Sequence, residues 1–167
     1  DGCEYACVFE SPEDLPDPDF EDANCDGVDG DAASALFVSP TGNDANAGTR
    51  EAPLATLGEA LSRASSSDAT QVLVDAGSYP ESLSLVDGVG LYGGYDASLN
   101  WARGRENVSI IEGGPRAVEA VGLATETVIE TLTVCGADAT VGTEPAYRKV
   151  ATESPGLVPR EATGAAA

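Results

Sequence analysis

The chain contains no histidine and no methionine, and its one lysine is Lys149. Without histidine there is no Ser-His-Asp triad, no His-ligated zinc and no haem attachment through a C-x-x-C-H motif. Aromatics supply 5% of the residues against 42% hydrophobic, so a core must be built from Val, Leu, Ile and Ala. Cations are scarce: 8 Lys+Arg face 29 Asp+Glu, a formal net charge of −21. A surface of that sign repels nucleic acid and anionic membrane, which both need a basic patch. No apolar run approaches the ~20 residues that span a bilayer. The first residues, DGCEYAC, carry no signal peptide and read as a mature or trimmed N-terminus.

The four cysteines are Cys3, Cys7, Cys25 and Cys135. An even number with three near the N-terminus suits an oxidising compartment and two disulfides, with three possible pairings. A four-cysteine zinc site would want a C-x2-C pair, and the chain has none. Cys25 is expected to join Cys3 or Cys7, stapling the segment between them; the partner of Cys135 stays open.

Texture divides the chain into three. Residues 1–34 are an acidic, Pro-rich and Cys-rich leader with little apolar periodicity, which disulfides or a metal would have to order. Residues 35–136 alternate short apolar runs with Gly and Asp turns. Residues 137–167 read as a tail or linker. Within the middle part, Leu57, Ala60, Leu61 and Ala64 form an i, i+3, i+4, i+7 stripe, with Leu54 one turn back. The spacing predicts a helix with Pro53 in its first turn, a cap near Thr49 or Glu51, and an end in the Ser-rich run 65–67. The runs at 70–77, 81–88, 89–96, 108–114, 116–122 and 127–136 predict strands. Leu73, Leu91 and Ile110 are spaced like one coil of a parallel β-helix, on the order of 20 residues. An all-β sandwich is the structural rival. ALFVS, residues 35–39, predicts a first short strand, and the helix that follows it favours the solenoid, whose open end it can cap.

Three stretches, FVSPTGNDANAGTREAPLATLGEAL, VLVDAGSYPESLSL and VGLYGGYDASLNWARGRENVSIIEGG, cover much of residues 35–136. They resemble the N-terminal coils of secreted right-handed parallel β-helix proteins of the pectin-lyase-like superfamily, most closely an uncharacterised surface branch of the myxobacterial type. The marks are Gly77, Tyr79 and Glu81 in G-x-Y-x-E, the LYGGYD turn, and Trp101 shortly before Arg103. The resemblance implies a mainly β fold, a short right-handed parallel β-helix with an N-terminal capping helix and an irregular acidic leader. It implies secretion or the cell surface. Family enzymes carry catalytic Arg or Lys and a Ca²⁺-binding Asp cluster on later coils, and no such segment is matched here. The role expected is therefore structural or adhesive, in an extracellular surface, fibre or appendage that includes a second copy or other surface proteins. A polysaccharide lyase or hydrolase fragment and a carbohydrate-binding module are the alternatives.

Residues 17–31 are similar to the Asp-rich metal-binding repeat of bacterial surface proteins, with Cys25-Asp26-Gly27-Val28-Asp29-Gly30-Asp31 as its core. Asp22, Asn24, Asp26 and Gly27 stand at positions 1, 3, 5 and 6 of a Ca²⁺ loop, where alternate oxygens and a Gly turn suit a hard cation. Ala33 stands where the bidentate Glu belongs, so Asp29 and Asp31 are the substitute ligands; the competing reading is a solvated acidic linker. Asn43, Asp44, Asn46 and Gly48 make a second polar turn, best read as self-capping turn chemistry. Tyr79, Tyr92, Tyr95 and Trp101 can be a sugar-stacking platform or packed corner aromatics. Arg103 and Arg105 can grip an acidic glycan, but on so acidic a chain pairing with local Asp and Glu is the simpler expectation.

Overall fold

A computed structural model describes residues 7–136; Cys3 and the expected tail at 137–167 lie outside the described residues. The apolar runs between Gly and Asp turns form short strands: β1 (Leu36–Val38), β2 (Gln71–Asp75), β3 (Gly77–Tyr79), β4 (Leu83–Ser84), β5 (Gly90–Asp96), β6 (Ala102–Arg103), β7 (Ser109–Glu112), β8 (Val118–Glu119), β9 (Ile129–Glu130) and β10 (Leu132–Cys135). A helix, α1 (Leu57–Ala64), lies between β1 and β2. The chain is mainly β, with parallel strands gathered in sheets, as expected. β1, β2, β5 and β9 lie side by side in parallel. A second parallel ladder holds β3, β7 and β10, and a third holds β4 and β8. β6 turns back antiparallel against the end of β5.

The register corrects the expected spacing. Leu91 stands between Val72 and Ile129, and Leu73 faces Tyr92. Ile110 belongs to the second ladder, between Ser78 and Thr133. The even spacing of Leu73, Leu91 and Ile110 is thus no single stacked column, because the layers take different lengths of chain: Gln71 pairs with Gly90, whereas Leu91 pairs with Ile129.

Successive side chains of β2 point to opposite faces, and both faces are covered, which explains a continuous apolar run rather than alternation. Val72 and Val74 join Val38, Leu91, Ile111 and Tyr79 beneath α1. Leu73 points the other way, into a cluster of Phe37, Tyr92, Tyr95 and Trp101 that Val28 of the leader completes. The helix buries its predicted stripe, Leu57, Ala60, Leu61 and Ala64. Its start differs from prediction: Thr56 is the N-cap, its side chain accepting from the N–H of Glu59. Pro53 and Leu54 lie outside the helix because the chain before it is held straight against β1, Leu54 N–H donating to Phe37 O at 2.9 Å. Asp44 then turns the chain into the helix by accepting from the N–H groups of Ala55 and Thr56.

The leader departs most from expectation. Between residues 7 and 34 it has no strand or helix, yet Asp14, Val28 and Asp29 are buried. Cys7 and Cys25 form a disulfide, one of the two pairings expected for Cys25. Contacts with the sheet, as well as the disulfide, order the segment. Among the described residues no helix is long and apolar enough to cross a membrane.

Candidate functional site

The residues that carry the family resemblance do structural work. Gly77 has φ +147°, and a Cβ there would meet Pro40 Cγ at 2.5 Å, so only glycine fits. The Tyr79 hydroxyl donates to Val38 O and Asp75 O, at 3.2 and 2.9 Å. Glu81 accepts from the N–H groups of Leu57 and Gly58, each at 2.9 Å. It satisfies donors that the first helical turn leaves free and places a negative charge at the positive end of α1.

The aromatic side chains offer no sugar platform. Tyr79, Tyr95 and Trp101 are at most 2% exposed and Tyr92 is 6% exposed. Trp101 stands edge-on to Phe37, centroids 4.8 Å apart, and its indole N–H donates to Arg50 O. The apolar surface of these rings goes to the core, where aromatics bury most area.

What remains is a clamp centred on Arg103, whose side chain is 1% exposed. Its Nε donates to Gly93 O at 2.9 Å. Nη1 donates to Asp29 Oδ2 at 2.8 Å and to Asp17 O at 3.1 Å. Nη2 donates to Glu130 Oε1 at 3.0 Å and to Thr131 Oγ1 at 3.2 Å. The guanidinium also lies over Phe20 and Tyr95, 5.1 and 5.2 Å from their centroids. One side chain therefore joins leader, sheet and last layer. Arg105 donates to Pro18 O and stacks on Phe20 from further out. The expectation that Arg103 pairs with local carboxylates holds; Arg105 instead takes a carbonyl.

The clamp has polar partners on every side. Tyr95 donates its hydroxyl to Asp29 O. Gln71 donates to Asp14 O at 2.7 Å and accepts from Asp31 N at 3.0 Å. Arg50 donates to the carbonyls of Asp26, Gly27 and Asn100. Burial pushes Asp29 up to about 6, against the pull of Arg103 and the Asp17 N–H. Burial likewise raises Asp14, opposed by the N–H groups of Gly30 and Ala23.

The five residues proposed as metal ligands divide. Asp22, Asn24 and Asp26 share one turn, and their oxygens accept from backbone N–H groups: Asp22 from Asp26 and Gly27, Asn24 from Asp26, and Asp26 from Val28 and Ala32. Asp29 is held by Arg103, and Asp31 accepts from Ala33 N. Among the described residues no three Asp, Glu, His or Cys side chains gather as metal ligands would. In the second polar turn, Asn43 accepts from Ala45 N and Asn46 donates to Pro53 O, which is the self-capping expected. Cys135 is exposed and has no disulfide partner among the described residues.

Sequence reasoning missed Gln71, Asp14, Glu130 and Arg50. Gln71 had a readable signal, a lone amide opening the apolar run QVLV; the others look like any residue of a polar surface. Residues 40–151 match the family described as "Protein of unknown function (DUF1565)". No curated protein and no solved structure matches the chain.

Proposed function

The chain belongs to the DUF1565 family, whose match spans more than half of it, and on that footing we propose that it is the capped first part of a right-handed parallel β-helix serving as a secreted, cell-surface structural or adhesive module. The family is commonly associated with parallel β-helix proteins. Three parallel ladders whose strands recur in chain order are the arrangement a solenoid needs, and right-handed crossovers are the rule for parallel strands. The disulfide suits an oxidising compartment.

One observation carries the reading: among the described residues, the two ends of the stack differ. The outer edge of β1 is filled, Phe37 N–H donating to Gly48 O and Ser39 N–H to Leu54 O. Among the described residues no strand lies beyond β8, β9 or β10. An unpaired edge is a template for another strand, so on this reading a neighbour, a second copy or another surface protein, docks against the last described layer. Sedimentation velocity across a wide concentration range tests this. A species that grows with concentration supports a second copy as partner, and a clean monomer at high concentration counts against it. A glycan array separates adhesion to polysaccharide from a purely structural role.

The acidic leader adds a weak cation site to the proposal. With Asp29 taken by Arg103, the oxygens left are those of Asp22, Asn24 and Asp26, and Ca²⁺ would have to displace their N–H partners. The affinity then falls in the extracellular class, ~10⁻⁴–10⁻³ M. Chelation should speed proteolysis of the leader; an unchanged rate removes Ca²⁺ from the reading.

A further inference from the structure

The Asp17–Pro18 peptide is the one Asp–Pro bond in the chain, and it sits against the clamp. Its carbonyl oxygen accepts from Arg103 Nη1 at 3.1 Å and from Phe20 N–H at 3.3 Å. Two donors thus meet this oxygen as in an oxyanion hole, and the nearer, at 3.1 Å, is cationic and withdrawn from water. The Asp17 carboxylate is fixed beside the same bond: Oδ1 accepts from the N–H groups of Asp19 and Phe20, at 2.7 and 2.9 Å. Its other oxygen takes no hydrogen bond among the described residues. The next carbonyl, that of Pro18, is gripped by Arg105 at 2.9 Å. The one Phe20 N–H thus bridges the carboxylate and the carbonyl oxygen of Asp17, which restricts the side chain and lowers the entropy cost of cyclisation.

We propose that the folded leader cleaves itself at Asp17–Pro18, with the Asp17 carboxylate as nucleophile and Arg103 as the electrophilic residue. The free carboxylate oxygen adds to the Asp17 carbonyl carbon, and the negative charge moves to the oxygen held by Arg103 and Phe20 N–H. Collapse breaks the C–N bond. Pro18 nitrogen leaves as an amine, taking a proton from mildly acid solvent, and Asp17 is left as a five-membered cyclic anhydride. Water opens the anhydride to a C-terminal Asp17, so the net change is hydrolysis of one peptide bond. Pro18 is exposed, which gives solvent access to the leaving nitrogen and to the anhydride. Proline is the suitable leaving group because a tertiary amide nitrogen, lacking N–H, is bound to no acceptor. Asp29 and Glu130 face the guanidinium with their carboxylates and Phe20, Tyr92 and Tyr95 with their rings, and Arg105 lies over the same Phe20 ring. Protonation of Asp29 would leave more of the Arg103 charge to the Asp17 carbonyl.

Cys7 and Cys25 lie on opposite sides of the bond and are joined, so the cut pieces stay linked until the disulfide is reduced. Purified protein incubated at mildly acid pH should gain the mass of one water, and after reduction should separate into residues 1–17 and 18–167. The native chain should be cut at least about tenfold faster than the same chain in concentrated urea, which reports the intrinsic lability of an Asp–Pro bond. Arg103→Gln should bring the native rate down to the urea rate. Asp17→Glu keeps the carbonyl and its donors but cannot close the five-membered ring, and should abolish the cut. A native rate no faster than the urea rate, or an undiminished cut in Asp17→Glu, overturns the proposal.

Discussion

Val38 and Val134 are both strand valines near an end of the stack, yet Val38 is 0% exposed and Val134 is 44% exposed. The difference lies in what covers them. Over the N-terminal layer lie residues 48–54 on the outer edge of β1, the apolar stripe of α1 and the docked leader. Over the C-terminal layer, among the described residues, lies nothing comparable: β8 and β9 are two residues long, and Val121 is 75% exposed. A strand edge is a liability until something irregular closes it. Among the described residues one end is closed with a loop, a helix and a disulfide-bonded leader, and the other is not.

Among the described residues Arg103 bonds carboxylates of both the leader and the last layer, and removing it should have the largest effect. Arg103→Ala leaves Asp29 buried without its cation and releases Glu130. Stripping one partner from a buried pair costs about 3–5 kcal/mol. Hydrogen exchange should show the amides of Asp17, Gly30 and Asp31 losing protection together with those of β9. If only one of the two regions opens, the clamp does not couple the ends.

Equal truncations should separate the ends next. Leu57 is fully buried under the cap, and Leu57→Ala should cost about 2–5 kcal/mol in urea unfolding. Leu132, half-buried in β10, loses less contact, and Leu132→Ala should cost about 1 kcal/mol or less. Similar costs would mean that the C-terminal layer is covered in solution.

The parts legible in sequence are those decided by local pattern. The helical stripe is a periodicity, and the strands from Gln71 to Cys135, apart from β6, fall in or at the end of apolar runs between Gly and Asp turns. What stayed hidden was decided by distance. Leader residues 14–31 have no apolar period because their order comes from single polar atoms meeting partners far along the chain: Gln71 with Asp14, Arg103 with Asp29, Arg50 with Gly27. The start of α1 differs from the sequence expectation for the same reason, since Asp44 and Glu81 supply its bonds from outside the helix. The metal reading came from the spacing of Asp22 to Asp31, and spacing is blind to a buried arginine that takes Asp29 away.

pH sets the ends against each other. Asp29 is raised from 3.8 to about 6 by burial. Its contribution to leader docking is therefore fully present below its ordinary value and is lost as pH rises through about 6. Asp14, also raised by burial, has the same sign. Asp87, in the turn that holds the last layer, is depressed by the N–H groups of Thr125 and Ala124. Its contribution is present above the ordinary value and is lost only as pH falls through its lower folded value. Between pH 6 and 3.8 the leader should gain protection against proteolysis while the Asp87 turn stays as it is. A leader that loosens over that window would reverse the sign assigned to Asp29.

The smallest effect on stability should carry the most about assembly. Val134 lies on β10 beside Ile111, and nearly half of it faces solvent. Val134→Glu buries no charge and removes little packing, so the folded monomer should change by no more than about 0.5 kcal/mol. The same substitution puts a carboxylate on the open edge of a chain that already carries −21, and a charge on an edge strand is a common natural device against edge pairing. If copies meet through this end, the concentration-dependent species should disappear in sedimentation while the melting curve stays in place. Association that survives Val134→Glu would move the interface away from β10. Loss of association together with a lowered melting temperature would mean that β10 is part of the core rather than its open border.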